Sequence, residues 1–230
     1  MCGRFVGFRS LEELRVFFPI DRAACEATVN YNVAPSQEVL AIVRRDALNW
    51  LDKFHWGLVP FWARDVAIGN RLINARAETV ASKPSFRQAF QKRRCLVLAD
   101  GFYEWKGPKG QKEPMFITLP NAAPFAFAGL WETWGPKGGV ETSYRSCTII
   151  TTPASESLRA IHHRMPAVLK PEVYDRWLSP QNRDPTPLEA ILQSDIYREF
   201  VWRPVSPKVN AVSNNVPANI APLTQRKIEF

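Results

Sequence analysis

The sequence predicts one α+β domain, and three features carry that prediction. Apolar, β-branched runs of strand length recur along the chain. The helical patterns among them are short. No Gly/Ser/Pro-rich or charged stretch is long enough to act as an interdomain linker. At 230 residues, 46% hydrophobic and 23% charged, the chain has the length and composition to close one large core.

Taken in order, Ser10-Leu11-Glu12-Glu13 is a capping box ahead of Leu14, Val16 and Phe17, so a short helix starts there and stops before Pro19. Residues 22–36 read as irregular, and strands are expected over 39–45 and around 48–56. From His55 to Arg64, Gly57 and Pro60 break regular structure, and aromatic rings alternate with basic groups. Such a loop can stack nucleobases while arginine holds phosphate, or it can pack on the core. Trp56 fits the second use; Trp62 is open to either. If residues 72–79 form a strand, Asn74, Arg76 and Glu78 share one face, which suits a site wall or a solvated edge.

A helix is expected over 82–91, where Phe86 and Phe90 share a face, and a buried strand over 94–99. That strand runs into Gly101-Phe102-Tyr103-Glu104-Trp105, where Glu104 is a carboxylate among apolar and aromatic side chains. Withdrawn from water it would suit proton transfer; on an exposed strand face it would pair with a lysine. Residues 106–113 and 135–139 read as loop tips, with strands at 115–119, 125–131 and 144–151. A short helix over 155–161 delivers His162-His163-Arg164-Met165-Pro166. Adjacent histidines point in different directions and do not chelate, but an imidazole beside a cation is a fair acid–base group. Strands at 167–170 and 201–205, helices at 172–178 and 187–192, and an irregular, rather apolar tail over 209–222 complete the chain.

Thirty Lys and Arg against 22 Asp and Glu leave a net charge of +8, which favours an acidic partner, nucleic acid before an anionic membrane surface. The four cysteines form no close pair in sequence, and Cys95 and Cys147 read as buried free thiols. With no signal peptide and no membrane-length apolar run, a cytoplasmic, nucleoid-associated monomer is expected.

The first residues, Met1-Cys2-Gly3-Arg4-Phe5, carry the most chemistry. If Met1 is removed, Cys2 offers a thiol and a free α-amine on adjacent carbons. An aldehyde meeting that pair can form a Schiff base with the amine, and the thiol can then close a thiazolidine ring. No internal cysteine can do this, because its nitrogen is an amide. Gly3 permits close backbone approach and Arg4 supplies a fixed positive charge. An ordinary cysteine at a frayed terminus is the competing reading of the same residues.

Together with Asn32-Val33-Ala34-Pro35, Trp56-Gly57-Leu58-Val59-Pro60, Asn74-Ala75-Arg76-Ala77-Glu78 and the Glu104 and His162 segments, this terminus resembles the SOS-response-associated peptidase family of abasic-site-processing DNA–protein crosslinkers. The resemblance spans essentially the whole chain with the motifs in order. It implies a mostly antiparallel, barrel-like sheet with flanking short helices and a basic cleft for single-stranded DNA. It also implies thiazolidine capture of the abasic-site aldehyde by Cys2, shielding the lesion during the DNA damage response. In that scheme Glu104 is the acid–base residue, His162 assists sugar ring opening or crosslink reversal, and Asn74 orients the terminus or the sugar. Gly3 lies against the DNA, Arg4, Arg76 and Arg164 hold phosphates, and Pro35 and Trp62 stack on or wedge against bases. No cofactor or metal is implied. Self-removal of Met1 and a β-elimination (lyase) side reaction are compatible with the same site.

Two readings from other classes compete. A thiol peptidase could use Cys2, His162 and Glu104, although no oxyanion-hole motif is visible. A non-covalent single-strand-binding module needs only the charge and the aromatics. A zinc enzyme is disfavoured because the cysteines and histidines lack chelating spacing.

Overall fold

An odd-numbered ring of strands sits at the centre of the molecule. The computed structural model describes residues 2–108, 110–135 and 143–223, so Met1, position 109 of the first expected loop tip and residues 136–139 of the second lie outside the described residues. In chain order the strands are β1 (Phe5–Gly7), β2 (Arg22–Ala23), β3 (Asn30–Val33), β4 (Glu38–Arg45), β5 (Leu48–Trp56), β6 (Asn74–Arg76) and β7 (Arg94–Ala99). They continue with β8 (Gly101–Lys106), β9 (Glu113–Thr118), β10 (Phe125–Trp134), β11 (Tyr144–Pro153), β12 (Arg164–Pro166), β13 (Val168–Leu169) and β14 (Val201–Pro204). The helices are α1 (Leu11–Phe17), α2 (Arg87–Lys92), α3 (Glu156–Arg159), α4 (Tyr174–Leu178) and α5 (Pro185–Ser194).

Strands β11, β10, β7, β4 and β5 pair antiparallel in that order, and β5 returns to pair with β11. Five is odd, so the closing contact must be parallel: Ser146 opposes His55 and Cys147 opposes Trp56. The barrel-like sheet implied by the resemblance is therefore a closed ring with one parallel seam. Its interior is apolar because alternate residues of long, β-branched strands point inward, as with Ala41, Val97, Phe127 and Ile149.

A second, wholly antiparallel sheet runs β14-β9-β8-β1-β3. Its strands have two apolar faces. Phe5 and Phe102 pack toward the barrel, with the Phe5 ring 5.1 Å from Trp56 and the Phe102 ring 6.1 Å from Phe127. Val6, Tyr103 and Phe116 point the other way and form a small outer core with Val205 and Val209. The tail of the chain covers this outer core, which is why it is apolar without being regular.

The α+β class is as the sequence predicts, and α1 carries the expected capping box, with Ser10 and Glu13 bonded reciprocally. Several elements differ. β1 begins at the last residue of the terminal motif and β3 lies within a stretch expected to be irregular; both are three to four residues long and exist because β8 pairs β1, which in turn pairs β3. The helix expected over 82–91 shrinks to α2, because Lys83, Phe86 and Arg87 are held by turn bonds to Thr79 and Lys83, around a Pro84 that has no N–H to donate. The strand expected over 72–79 shrinks to β6.

Gly57 ends β5 at the seam with φ +140°, and a Cβ there would stand 2.7 Å from the Gly69 carbonyl oxygen. Gly57→Ala should cost about 2–4 kcal/mol through backbone strain and overpacking, read as a lower urea midpoint with an unchanged slope.

Candidate functional site

The site forms where the open sheet meets the end of the barrel. Side chains alternate along β8, so Phe102 faces the barrel, Tyr103 faces the outer core and Glu104 faces the barrel again, opposite Met115 of β9. β1 pairs β8 with Phe5 opposite Phe102, and Tyr103 N–H donates to the Arg4 carbonyl at 2.9 Å. Carried on, this register sets Gly3 beside Glu104. A carboxylate only 5% exposed is thereby brought to the fully buried Cys2.

The barrel supplies the opposite wall through β11. On one side β6 pairs with it, placing Asn74 opposite Ile149; on the other, β12 places Arg164 opposite Pro153. Asn74 Nδ2 donates to the Cys2 carbonyl at 2.7 Å, which fixes the terminal residue. The Asn74 Oδ1 atom is buried with no hydrogen-bond partner among the described residues, the condition of an acceptor awaiting a ligand.

Electrostatics links the groups. Burial, and then the charge of Glu104, push the Cys2 thiol far above its ordinary range. Burial pulls His162 below the usual histidine value, while the same Glu104 charge pushes it back up. At neutral pH the thiol is therefore protonated and the imidazole neutral. The Arg164 backbone N–H donates to His162 Nδ1 at 3.0 Å. Nδ1 also lies 3.1 Å from the Arg164 carbonyl, but a backbone amide always carries its proton, so we assign Nδ1 as the acceptor and place the ring proton on Nε2. His163, stacked on His162 with centroids 4.3 Å apart, is exposed.

Of the expected site residues, Cys2, Gly3, Asn74, Glu104 and His162 are brought together. Arg76 is exposed on the Asn74 face of β6, Pro35 is half-buried in a turn, and Trp62 is 47% exposed on the loop after β5. Two arginines are engaged by protein groups. Arg164 is 8% exposed, ion-paired through both terminal nitrogens with Glu78, and donates to the Thr151 carbonyl at 2.6 Å. Arg4 lies on the outer face of its sheet, over the Trp105 ring, and donates to Asn32 Oδ1 at 2.6 Å and the Val209 carbonyl at 2.8 Å. Each guanidinium keeps an Nε with no hydrogen-bond partner among the described residues.

Sequence reasoning missed Asn32. It is fully buried, and its Nδ2 lies within 3.2 Å of the carbonyls of Val209, Ala211 and Asn214, so with Arg4 it clamps the tail over the outer core. The available signal was a lone amide in the apolar surroundings of Val33, Ala34 and Pro35. It also missed the Glu78–Arg164 pair, which joins two motifs far apart in sequence.

The chain belongs to the SOS response associated peptidase family, whose model matches residues 1–212. Among its relatives, the abasic site processing protein YoqW of Bacillus subtilis is 44% identical over 221 residues, covering 94% of this chain and 97% of its own. The abasic site processing protein YedK of Escherichia coli is 31% identical over 229 residues, covering 97% of this chain and all of its own. A crystal structure from Bacteroides thetaiotaomicron shares the fold, with a TM-score of 0.77 at 23% identity over 94% of this chain and the whole of that one. No helix among the described residues is long and apolar enough to cross a membrane.

The Arg164 guanidinium holds the half-exposed Glu78 carboxyl below the usual carboxylate range. A depressed folded value means stability that is present above the unfolded pKa of about 4.3 and lost as pH falls through the folded one. Glu78→Gln should therefore cost about 1–2 kcal/mol at pH 7, and the gap to wild type should close in acid, read as melting temperature against pH.

Proposed function

We propose that the protein captures abasic sites in single-stranded DNA as a covalent thiazolidine through Cys2 once Met1 has been removed. The observation that carries this reading is the enclosure of the terminal cysteine with one carboxylate whose charge acts on both the thiol and a neutral histidine. The description of the relatives as abasic site processing proteins supports the same substrate.

The freed α-amine adds to the aldehyde carbon of the ring-opened sugar, and the carbinolamine loses water to give a Schiff base. The Cys2 sulfur then adds to the imine carbon while its proton ends on the nitrogen. One C–N and one C–S bond form, and one water leaves. A buried, protonated thiol needs a base at this last step, and ionised Glu104 would first take the proton the attacking amine gives up, pass it to the departing hydroxyl and then collect the thiol proton for the ring nitrogen. His162, neutral with its proton on Nε2, donates to the sugar ring oxygen as the ring opens, and the reverse transfer serves release of the link. Asn74 Nδ2 holds the Cys2 carbonyl, and its unpartnered Oδ1 accepts from the terminal amine or a sugar hydroxyl. Arg76, Pro35 and Trp62 lie at the surface to receive the strand. Arg4 and Arg164 support the walls through their protein partners and offer the remaining Nε donors to phosphate.

A labelled single strand bearing one abasic site, run on a denaturing gel, tests this. Wild type should give a shifted band that survives boiling and requires the lesion, and Cys2→Ala should give none. Glu104→Gln should slow its appearance about 100-fold or more with DNA affinity unchanged. Absence of the band in wild type shown by mass spectrometry to lack Met1 would sink covalent capture and bring the thiol peptidase forward.

A further inference from the structure

His163 is the member of the His162-His163-Arg164 segment that the capture chemistry leaves unused. Against the expectation that adjacent histidines diverge, its ring stacks on that of His162, with centroids 4.3 Å apart and planes 29° from parallel. The backbone on both sides builds this stack. His162 N–H donates to the Leu158 carbonyl at 3.1 Å where α3 ends, and the His163 carbonyl accepts from Ala154 N–H at 3.0 Å. Arg164 N–H then holds His162 Nδ1 at 3.0 Å. His162 is half-buried against the site while His163 is exposed, so one imidazole reaches the reacting groups and the other reaches water.

We propose that His163 is a positioning residue for His162: its ring fixes the plane of the His162 imidazole, and a proton on either ring opposes a proton on the other. The inference rests on the reading that His162 works as a neutral imidazole in capture and release. Two unit charges 4.3 Å apart repel enough, even in water, to change a protonation ratio about fivefold. A second proton on His162 also has a single place to go. With Nε2 occupied it enters at Nδ1, which gives up the Arg164 N–H and turns donor to the Arg164 carbonyl 3.1 Å away. Burial is the largest influence against a charged His162; Glu104 of β8 favours the charge, and the amino end of the chain and His163 oppose it again. The Cys2 thiol, protonated, adds no charge, and the Arg164 guanidinium is paired with Glu78. By taking up a proton from water, His163 keeps its neighbour neutral further into acid.

NMR titration of the His162 ring in wild type, His163→Phe and His163→Ala tests it, alongside crosslinking rates at about pH 6 and about pH 8. His163→Phe keeps a stacked ring and loses the charge. Both variants should raise the His162 midpoint by about half a unit or more, the fivefold ratio in pH terms, and both should lose more rate than wild type between the higher and the lower pH. At the higher pH His163→Ala should also crosslink about threefold or more slowly with DNA affinity as in wild type, because the ring is no longer fixed, and His163→Phe should recover part of that loss. His162 midpoints within about 0.2 units of wild type in both variants would overturn the charge coupling. Equal rates for His163→Ala and wild type at the higher pH would overturn the fixing of the ring. If wild type fails to crosslink while the midpoint still rises in His163→Phe, capture falls and the coupling of the two histidines stands.

Discussion

The parallel contact between β5 and β11 is the constraint on which the rest depends. A ring of five strands cannot alternate direction all the way round, so one pair must run the same way, and that pair cannot be joined by a hairpin. The chain leaves the seam at Gly57, which turns with φ +140° against the backbone of Gly69. From there it runs through the aromatic loop into β6, laid along β11 in the same parallel sense. Asn74 thus reaches the site because the barrel has an odd number of strands and β11 has an edge left over beyond the seam.

The other half of the site comes from a sheet that is buried on both faces. A strand covered on one side only would show Glu104 as one polar residue in an alternating pattern. Here its neighbours Tyr103 and Phe102 are both buried, in different cores, so the carboxylate lies between apolar layers and has only the site to face. This requires the outer core to be kept dry, which is the task of the tail. Arg4 and Asn32, both in motifs with a catalytic association, perform that task by binding its carbonyls. Loss of the tail clamp would wet one face of β8 and raise the dielectric around Glu104, so a residue far from the chemistry tunes it.

Much of this was legible in the residues. The barrel strands are long and apolar enough to announce themselves, and the capping box at Ser10 marks α1 to the residue. The convergence of Cys2, Asn74, Glu104 and His162 was expected only from the resemblance; no periodicity joins positions 2, 74, 104 and 162. Short strands were the failure, because β1, β3 and β6 owe their form to pairing partners rather than to propensity. Arginine partners were illegible too, because which protein groups a guanidinium meets is a property of the fold.

The same point governs the net charge of +8. Composition counts Arg164 and Arg87 alike, yet they are physically different charges. Arg9, Arg45, Arg93 and Arg145 are held against buried carboxylates, and Arg164 against the half-exposed Glu78, so their fields largely cancel at a distance. Screening then removes what remains beyond about 8 Å at physiological salt. The field that an approaching strand feels is set by cations whose neighbours are neutral, and Arg87 and Lys92, beside two rings and two amides, are of that kind.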